Sequence, residues 1–122
     1  MVEVDSSWSF PKLREIAGHL IVHKVSGIRS LSQFFPNLLR IHGSELFHNF
    51  SLIVSENPDL ENLGLVNLTS IASGAIRIEK NEMLCYVNTV DWSLIVNDEF
   101  ESQNVISVSF YFVFKRESEN TC

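Results

Sequence analysis

The sequence predicts a mainly β domain, a right-handed parallel β-helix or leucine-rich-repeat-like solenoid of stacked coils, with short helices or turns between them. Three observations predict it. A phrase is repeated: Phe10-Pro11-Lys12-Leu13-Arg14-Glu15-Ile16-Ala17-Gly18 and Phe35-Pro36-Asn37-Leu38-Leu39-Arg40-Ile41-His42-Gly43 both fit F-P-x-L-x-x-I-x-G, and Leu65-Val66-Asn67-Leu68-Thr69-Ser70-Ile71 keeps the apolar positions. The copies begin at 10, 35 and 65, steps of 25 and 30 residues, a spacing that marks repeat architectures. Each copy is followed by a β-rich run, and two of those runs end at an asparagine corner, Asn57-Pro58 in one coil and Asn81 in another.

The elements follow in order. In the first coil the phrase at Phe10–Gly18 makes a turn, and Leu20-Ile21-Val22-His23-Lys24-Val25 makes a strand. Residues i and i+2 share one face of a strand, so Leu20 and Val22 face the core while His19, Ile21 and His23 face out. In the second coil Leu52 and Val54 go in, leaving Ser51, Ile53 and Ser55 outside; in the third Ile76 and Ile78 go in, leaving Ala75, Arg77 and Glu79 outside. Stacking aligns the outward residues into one patch, because a single coil cannot bury its own apolar edge. Trp92 reads as a core residue sealing the last coil, and the alternation from Val105 to Phe114 reads as a further strand.

Composition narrows the function. The chain has 122 residues, 45% hydrophobic and 20% charged, which is enough apolar content for one domain with a core. Its net charge of −6 and its lack of clustered Lys and Arg argue against nucleic acid. No apolar run approaches the ~20 residues a spanning helix needs, so no membrane contact by this chain is expected. Met1-Val2-Glu3-Val4-Asp5 has neither the basic nor the apolar region of a secretory signal.

No catalytic constellation emerges, and no cofactor or metal is expected. His19 and His23, four apart on a strand, would lie ~13 Å apart, too far to share a metal. Gly18, Gly27, Gly43, Gly64 and Gly74 are spread as corners rather than gathered into a phosphate loop, and the charged groups Glu56, Asp59, Glu61, Arg77, Glu79 and Lys80 fit no nucleophile-and-base motif. Cys85 and Cys122 are too few for a disulfide scaffold, and no zinc spacing exists. Asn49-Phe50-Ser51 and Asn67-Leu68-Thr69 match the glycosylation acceptor, and Asn120-Thr121-Cys122 matches its rarer form.

The run Gly74-Ala75-Ile76-Arg77-Ile78-Glu79-Lys80-Asn81, with Leu84-Cys85-Tyr86 and Thr89-Val90-Asp91-Trp92-Ser93-Leu94-Ile95 behind it, resembles the end of the first ligand-binding L domain of the insulin receptor and insulin-like growth factor receptor family. Upstream, Phe10-Pro11-Lys12-Leu13, Leu31, Phe35-Pro36-Asn37-Leu38, Ile41-His42-Gly43, Leu46-Phe47 and Gly64-Leu65 fall in register with the same domain. The resemblance implies an extracellular, non-catalytic receptor L domain over residues 9–97, between an unassigned leader at 1–8 and a divergent tail at 98–122. It also implies a domain incomplete at its N-terminus, since the family's opening coil has no counterpart before Trp8. The parent would be a receptor tyrosine kinase with a cysteine-rich region after the L domain, acting as a receptor dimer at the plasma membrane.

The outward patch coincides with the family's hormone-binding sheet. The resemblance therefore implies an insulin-like peptide as partner, bound by Ile21, His23, Phe47, His48, Phe50, Ile53, Ser55, Glu56, Arg77 and Glu79. Phe47, Phe50 and Ile53 would form an apolar anchor and Glu56, Arg77 and Glu79 a charged rim. Phe47 and Phe50 are alternatively core residues. Three positions depart from the family: His23, His48 and Ser55 stand where aromatic rings are common, and each buried ring lost costs ~1–3 kcal/mol of binding. Cys85 resembles a family cysteine that pairs further downstream, and Cys122 is the other cysteine in the chain. Beyond Asn104 the resemblance ends, which suggests an exon-end readthrough or incomplete gene model. The alternative reading is a stand-alone repeat module or secreted hormone decoy using the same sheet.

Overall fold

The computed structural model describes residues 2–5, 7–85, 87 and 90–107. Cys122, and the predicted strand beyond Ser107, lie outside the described residues. The chain winds as a stack of coils whose short strands are all parallel and run along separate sides of the stack. One side is a three-stranded sheet of β2 (Glu15–Ile16), β5 (Arg40–Ile41) and β7 (Ser70–Ile71). Another is a four-stranded sheet of β3 (Leu20–His23), β6 (Phe50–Ser55), β8 (Ala75–Glu79) and β9 (Val105–Ile106). A third pairing joins β1 (Val2–Glu3) to β4 (Val25–Ser26). A 3-10 turn at Trp92–Leu94 and the short helix α1 (Asp98–Glu101) lie between β8 and β9.

The repeated phrase sets the register. Ile16, Ile41 and Ile71, the isoleucines of its three copies, are direct ladder partners, and Ile71 bridges on to Val96. The phrase therefore carries a strand of its own, where the sequence suggests only a turn. On the broader side Leu20, Leu52 and Ile76 stack, as do Val22, Val54, Ile78 and Ile106. These inward β-branched and leucine side chains fill the axis: Leu38, Ile41, Leu52, Val54, Ile76 and Ile78 are completely buried. Their counterparts in the first coil, Leu13, Ile16 and Leu20, are only half-buried, because no coil covers that end of the stack among the described residues.

Asparagines tie the coils together. Asn57 donates from Nδ2 to the Val22 carbonyl (3.0 Å) and to Asn81 Oδ1 (3.0 Å), and its Oδ1 accepts from Val25 N–H (2.9 Å). Asn81 repeats the bond one coil on, donating to the Val54 carbonyl at 3.0 Å. Both are buried, so each bond forms away from competing water, and a missing partner there would cost about 1–3 kcal/mol. On the surface Asn37 reaches the Pro11 carbonyl (2.7 Å) and Asn67 the Pro36 carbonyl (2.8 Å), one step back along the repeat each time.

Two outward assignments fail. Ser51 and Ala75 are fully buried rather than exposed. The ladder between β6 and β8 slips between Phe50 and Leu52, so Ser51 drops out of the alternation. Trp92 is 8% exposed and belongs to the core.

Candidate functional site

The four-stranded sheet sets outward side chains in rows that cross its strands. Ile21, Ile53 and Arg77 are ladder partners, and so are His23, Ser55 and Glu79. A third row follows the strand ends: Lys24, Glu56 and Lys80 all take the left-handed backbone conformation, with φ of 54°, 55° and 59°. That conformation costs a non-glycine residue about 1–2 kcal/mol. It is held here because the coil-to-coil hydrogen bonds continue through it, from Lys24 N–H to the Ser55 carbonyl (3.1 Å) and from Glu56 N–H to the Glu79 carbonyl (3.3 Å). Strict alternation would turn Glu56 inward after the outward Ser55; the left-handed twist keeps it on the outer face.

A wall stands over one edge of these rows. Ile16 to Leu20 is four positions and Ile71 to Ile76 is five, but Ile41 to Leu52 is eleven, so the second coil carries an excursion its neighbours lack. Its tip is a two-residue turn. Phe47 and Phe50 exchange backbone hydrogen bonds of 2.9 and 2.8 Å around His48 and Asn49, which both have positive φ, 49° and 74°. This is the pattern of a type I′ hairpin turn, and it aims Phe47 across the sheet. His19 donates from Nδ1 to the Glu45 carbonyl (2.8 Å) and holds the excursion from one side. On the other, Gly74 leaves room: a Cβ there would lie 2.5 Å from Leu46 Cδ2.

The result is an open cavity of about 330 Å³ lined by Ile21, His23, Phe47, Ile53, Ser55, Glu56, Arg77, Glu79 and Lys80. Eight of the ten residues singled out in the sequence lie in this lining. The other two do not: His48 sits in the turn with its ring edge-on to Phe47, and Phe50 is half-buried beneath the Arg77 guanidinium, 5.8 Å from its ring centroid. Phe47 is 46% exposed, so it is no core residue, whereas Ile53 and Ser55 face outward yet are 8% exposed because their neighbours rise around them. Lys80 was missed. Its signal was available, since it follows Glu79 as Glu56 follows Ser55, one coil apart.

Polar groups in the lining are partly committed to one another. Arg77 places Nε 2.6 Å and one terminal nitrogen 2.5 Å from the same Glu79 oxygen. His23 Nδ1 is 2.8 Å from Ser55 Oγ, and its Nε2 is 3.4 Å from Glu56 Oε2. Lys24, Glu56, Pro58, Lys80 and Glu82 line a shallower hollow along the same corner. An apolar floor and one aromatic wall, bordered by charged side chains, suit a peptide surface better than a reacting small molecule. No group of three or more His, Cys, Asp or Glu suited to a metal occurs among the described residues.

Comparison with known proteins decides the family. Residues 3–96 match the Receptor L domain family. The chain belongs to it. This L domain is 52% identical over 88 residues to the insulin-like growth factor 1 receptor of Xenopus laevis, covering 72% of the chain and 6% of that receptor. It is 49% identical over 98 residues to the insulin-like receptor of Drosophila melanogaster, covering 80% of the chain and 4% of the receptor. With the insulin receptor of Xenopus laevis it shares 46% over 88 residues, 72% of the chain and 6% of the receptor. The chain thus spans less than a tenth of the length of these relatives, and the stretch it shares with them is a receptor domain rather than a catalytic one. No helix among its described residues is long and apolar enough to cross a membrane. Cys85, buried near the end of the third coil, is not a free thiol.

Proposed function

We propose that this L domain is the extracellular ligand-binding module of an insulin-like receptor tyrosine kinase, and that it takes an insulin-like peptide on the four-stranded sheet. The observation that carries the reading is the cavity itself: an apolar floor of Ile21 and Ile53, the exposed Phe47 wall and a charged border, in a chain whose relatives are receptors for insulin-like hormones by name. Phe47 supplies the anchor, since an aromatic ring that becomes buried against apolar neighbours on binding is the usual core of a hot spot. Arg77, Glu79 and Lys80 form the rim that sets orientation. In the parent, a cysteine-rich region would follow the domain and a second receptor chain would complete the dimer. Asn49 and Asn67, both exposed, are the glycan acceptors in this reading.

Titration of the secreted chain with fluorescently labelled insulin-like growth factor 1 tests it, with circular dichroism confirming a folded β domain. Saturable binding competed by unlabelled peptide is expected. A folded chain that shows none, even with its flanking receptor regions restored, rejects the reading.

A further inference from the structure

Away from the four-stranded sheet, the turn leading into the narrow strand of each coil leaves apolar side chains in water. The repeated phrase sets Phe10 in line with Phe35 and Leu65, and Pro11 in line with Pro36 and Val66, because Ile16, Ile41 and Ile71, a fixed count further on, are ladder partners. Leu94 stands two before Val96 as Thr69 stands two before Ile71, so it continues the same corner. Trp8, Phe10, Val66 and Leu94 are 46, 55, 80 and 79% exposed. Phe10 stacks on Phe35 with centroids 6.0 Å apart and planes at 17°, which covers one face of its ring and leaves the other open. An apolar stripe of this kind marks a surface that something covers.

The cover is written into the stripe. Asn67-Leu68-Thr69 is a glycosylation acceptor, and Asn67 directly follows Val66 on this corner. Its amide does not turn freely: Nδ2 gives one hydrogen to the Pro36 carbonyl at 2.8 Å, leaving one for substitution. A sugar there leaves the chain beside Pro36, on the stripe. Thr69 is exposed as well, with Oγ1 donating to the Leu39 carbonyl at 3.2 Å. The acceptor at Asn49 differs once the coils have closed, since its Ser51 is fully buried with Oγ at the Ala75 carbonyl, 3.4 Å away.

We propose that an N-linked glycan on Asn67 lies back along this stripe and covers Pro36 and the open face of Phe10. The inference rests on the extracellular placement proposed above. From the row of Val66 to that of Phe10 is two coils, ~10 Å at the ~4.8 Å spacing of paired strands, within reach of a disaccharide. The C–H face of a sugar ring packs on an aromatic face while its hydroxyls stay in water, so the glycan turns an apolar stripe into a polar one. The donor is an oligosaccharide carried on a lipid diphosphate. The bond from Asn67 Nδ2 to sugar C1 forms, the C1–oxygen bond to the diphosphate breaks, the diphosphate leaves with the electron pair, and one Nδ2 proton passes to solvent.

Two measurements on the full chain, expressed behind a secretory signal, test it. Peptide mass spectrometry is expected to find glycan on Asn67, lost in Thr69→Ala and kept in Thr69→Ser. Hydroxyl-radical footprinting then compares the glycosylated chain with Thr69→Ala. Oxidation follows exposure, so covering Phe10 from 55% exposed toward the 9% of its neighbour Phe35 is expected to lower it by up to about fivefold, with Ile21 and Phe47 unchanged and Thr69→Ser protected like the parent. A secreted, folded chain bare at Asn67, or equal Phe10 oxidation with and without the glycan, overturns the proposal. Low oxidation in both forms, with a dimer by sedimentation, also overturns it and gives the stripe to a second copy of the chain. A glycosylated, protected chain that binds no insulin-like growth factor 1 leaves this inference standing and rejects the peptide-binding reading alone.

Discussion

The two sheets of this solenoid are wound by the same chain and serve opposite ends. On the narrow side, β2, β5 and β7 contribute two residues per coil, and their ladder positions are kept at isoleucine from Ile16 through Ile41 to Ile71. On the broad side the strands are longer, and the outward rows mix isoleucine, histidine, serine and both signs of charge. On the narrow side charged residues pair across the coils: Glu15 accepts from His42 (2.8 Å) and lies 3.8 Å from Arg40. The lesson is that one repeat can fix the spacing of the coils while the other strand of each coil varies freely on its outer face.

Substitutions can break this division or sharpen it. The largest effect should come from Ile41→Ala, which empties a fully buried position in the narrow ladder and should lower stability by about 3–4 kcal/mol in urea unfolding, with peptide affinity of the remaining folded chain unchanged. Next is Asn57→Ala: it strips partners from Val25 N–H, the Val22 carbonyl and Asn81 at once, and a loss of about 2–3 kcal/mol is expected. Phe47→Ala inverts the pattern. Its ring is half in solvent, so the melting curve should hardly move, while peptide affinity should fall about ten- to thirtyfold by fluorescence titration. The smallest change is a gain. Asn49→Gly relaxes a positive φ at the second position of the turn and should stabilise the domain by about 0.5 kcal/mol, read as a small rise in the urea midpoint. An affinity loss in Ile41→Ala, or a large stability loss in Phe47→Ala, would show that the two sides are not independent.

Much of this was legible in the sequence. The repeated phrase gives the coil register residue for residue, because Ile16, Ile41 and Ile71 occupy one position of the pattern and must stack. The corner asparagines were readable as corners, though not as a continuous bracket, since which carbonyl each amide reaches depends on the axial spacing of coils. Alternation assigned Ile21, His23, Ile53, Ser55, Arg77 and Glu79 to the outer face. It failed at Ser51 and Ala75, where the eleven-position excursion disturbs the pairing. It could not have placed Glu56 and Lys80 outward either, because nothing in a two-residue period announces three consecutive coils turning left-handed on lysine and glutamate. The His48-Asn49 turn was hidden for a related reason: only its second residue is of the type such turns usually advertise.

The asparagine bracket also bears on how the domain answers to force. Ladder hydrogen bonds in a stacked solenoid run from coil to coil, and each coil touches only its neighbours. Tension between the two ends of the stack therefore opens the ladders one after another, each at modest load, whereas tension along the strands loads every ladder together in shear. Asn57 is bonded to the coil before it and the coil after it, so the second coil resists peeling from both sides. That coil also carries Phe47, so a pull transmitted through the stack would reach the cavity wall last.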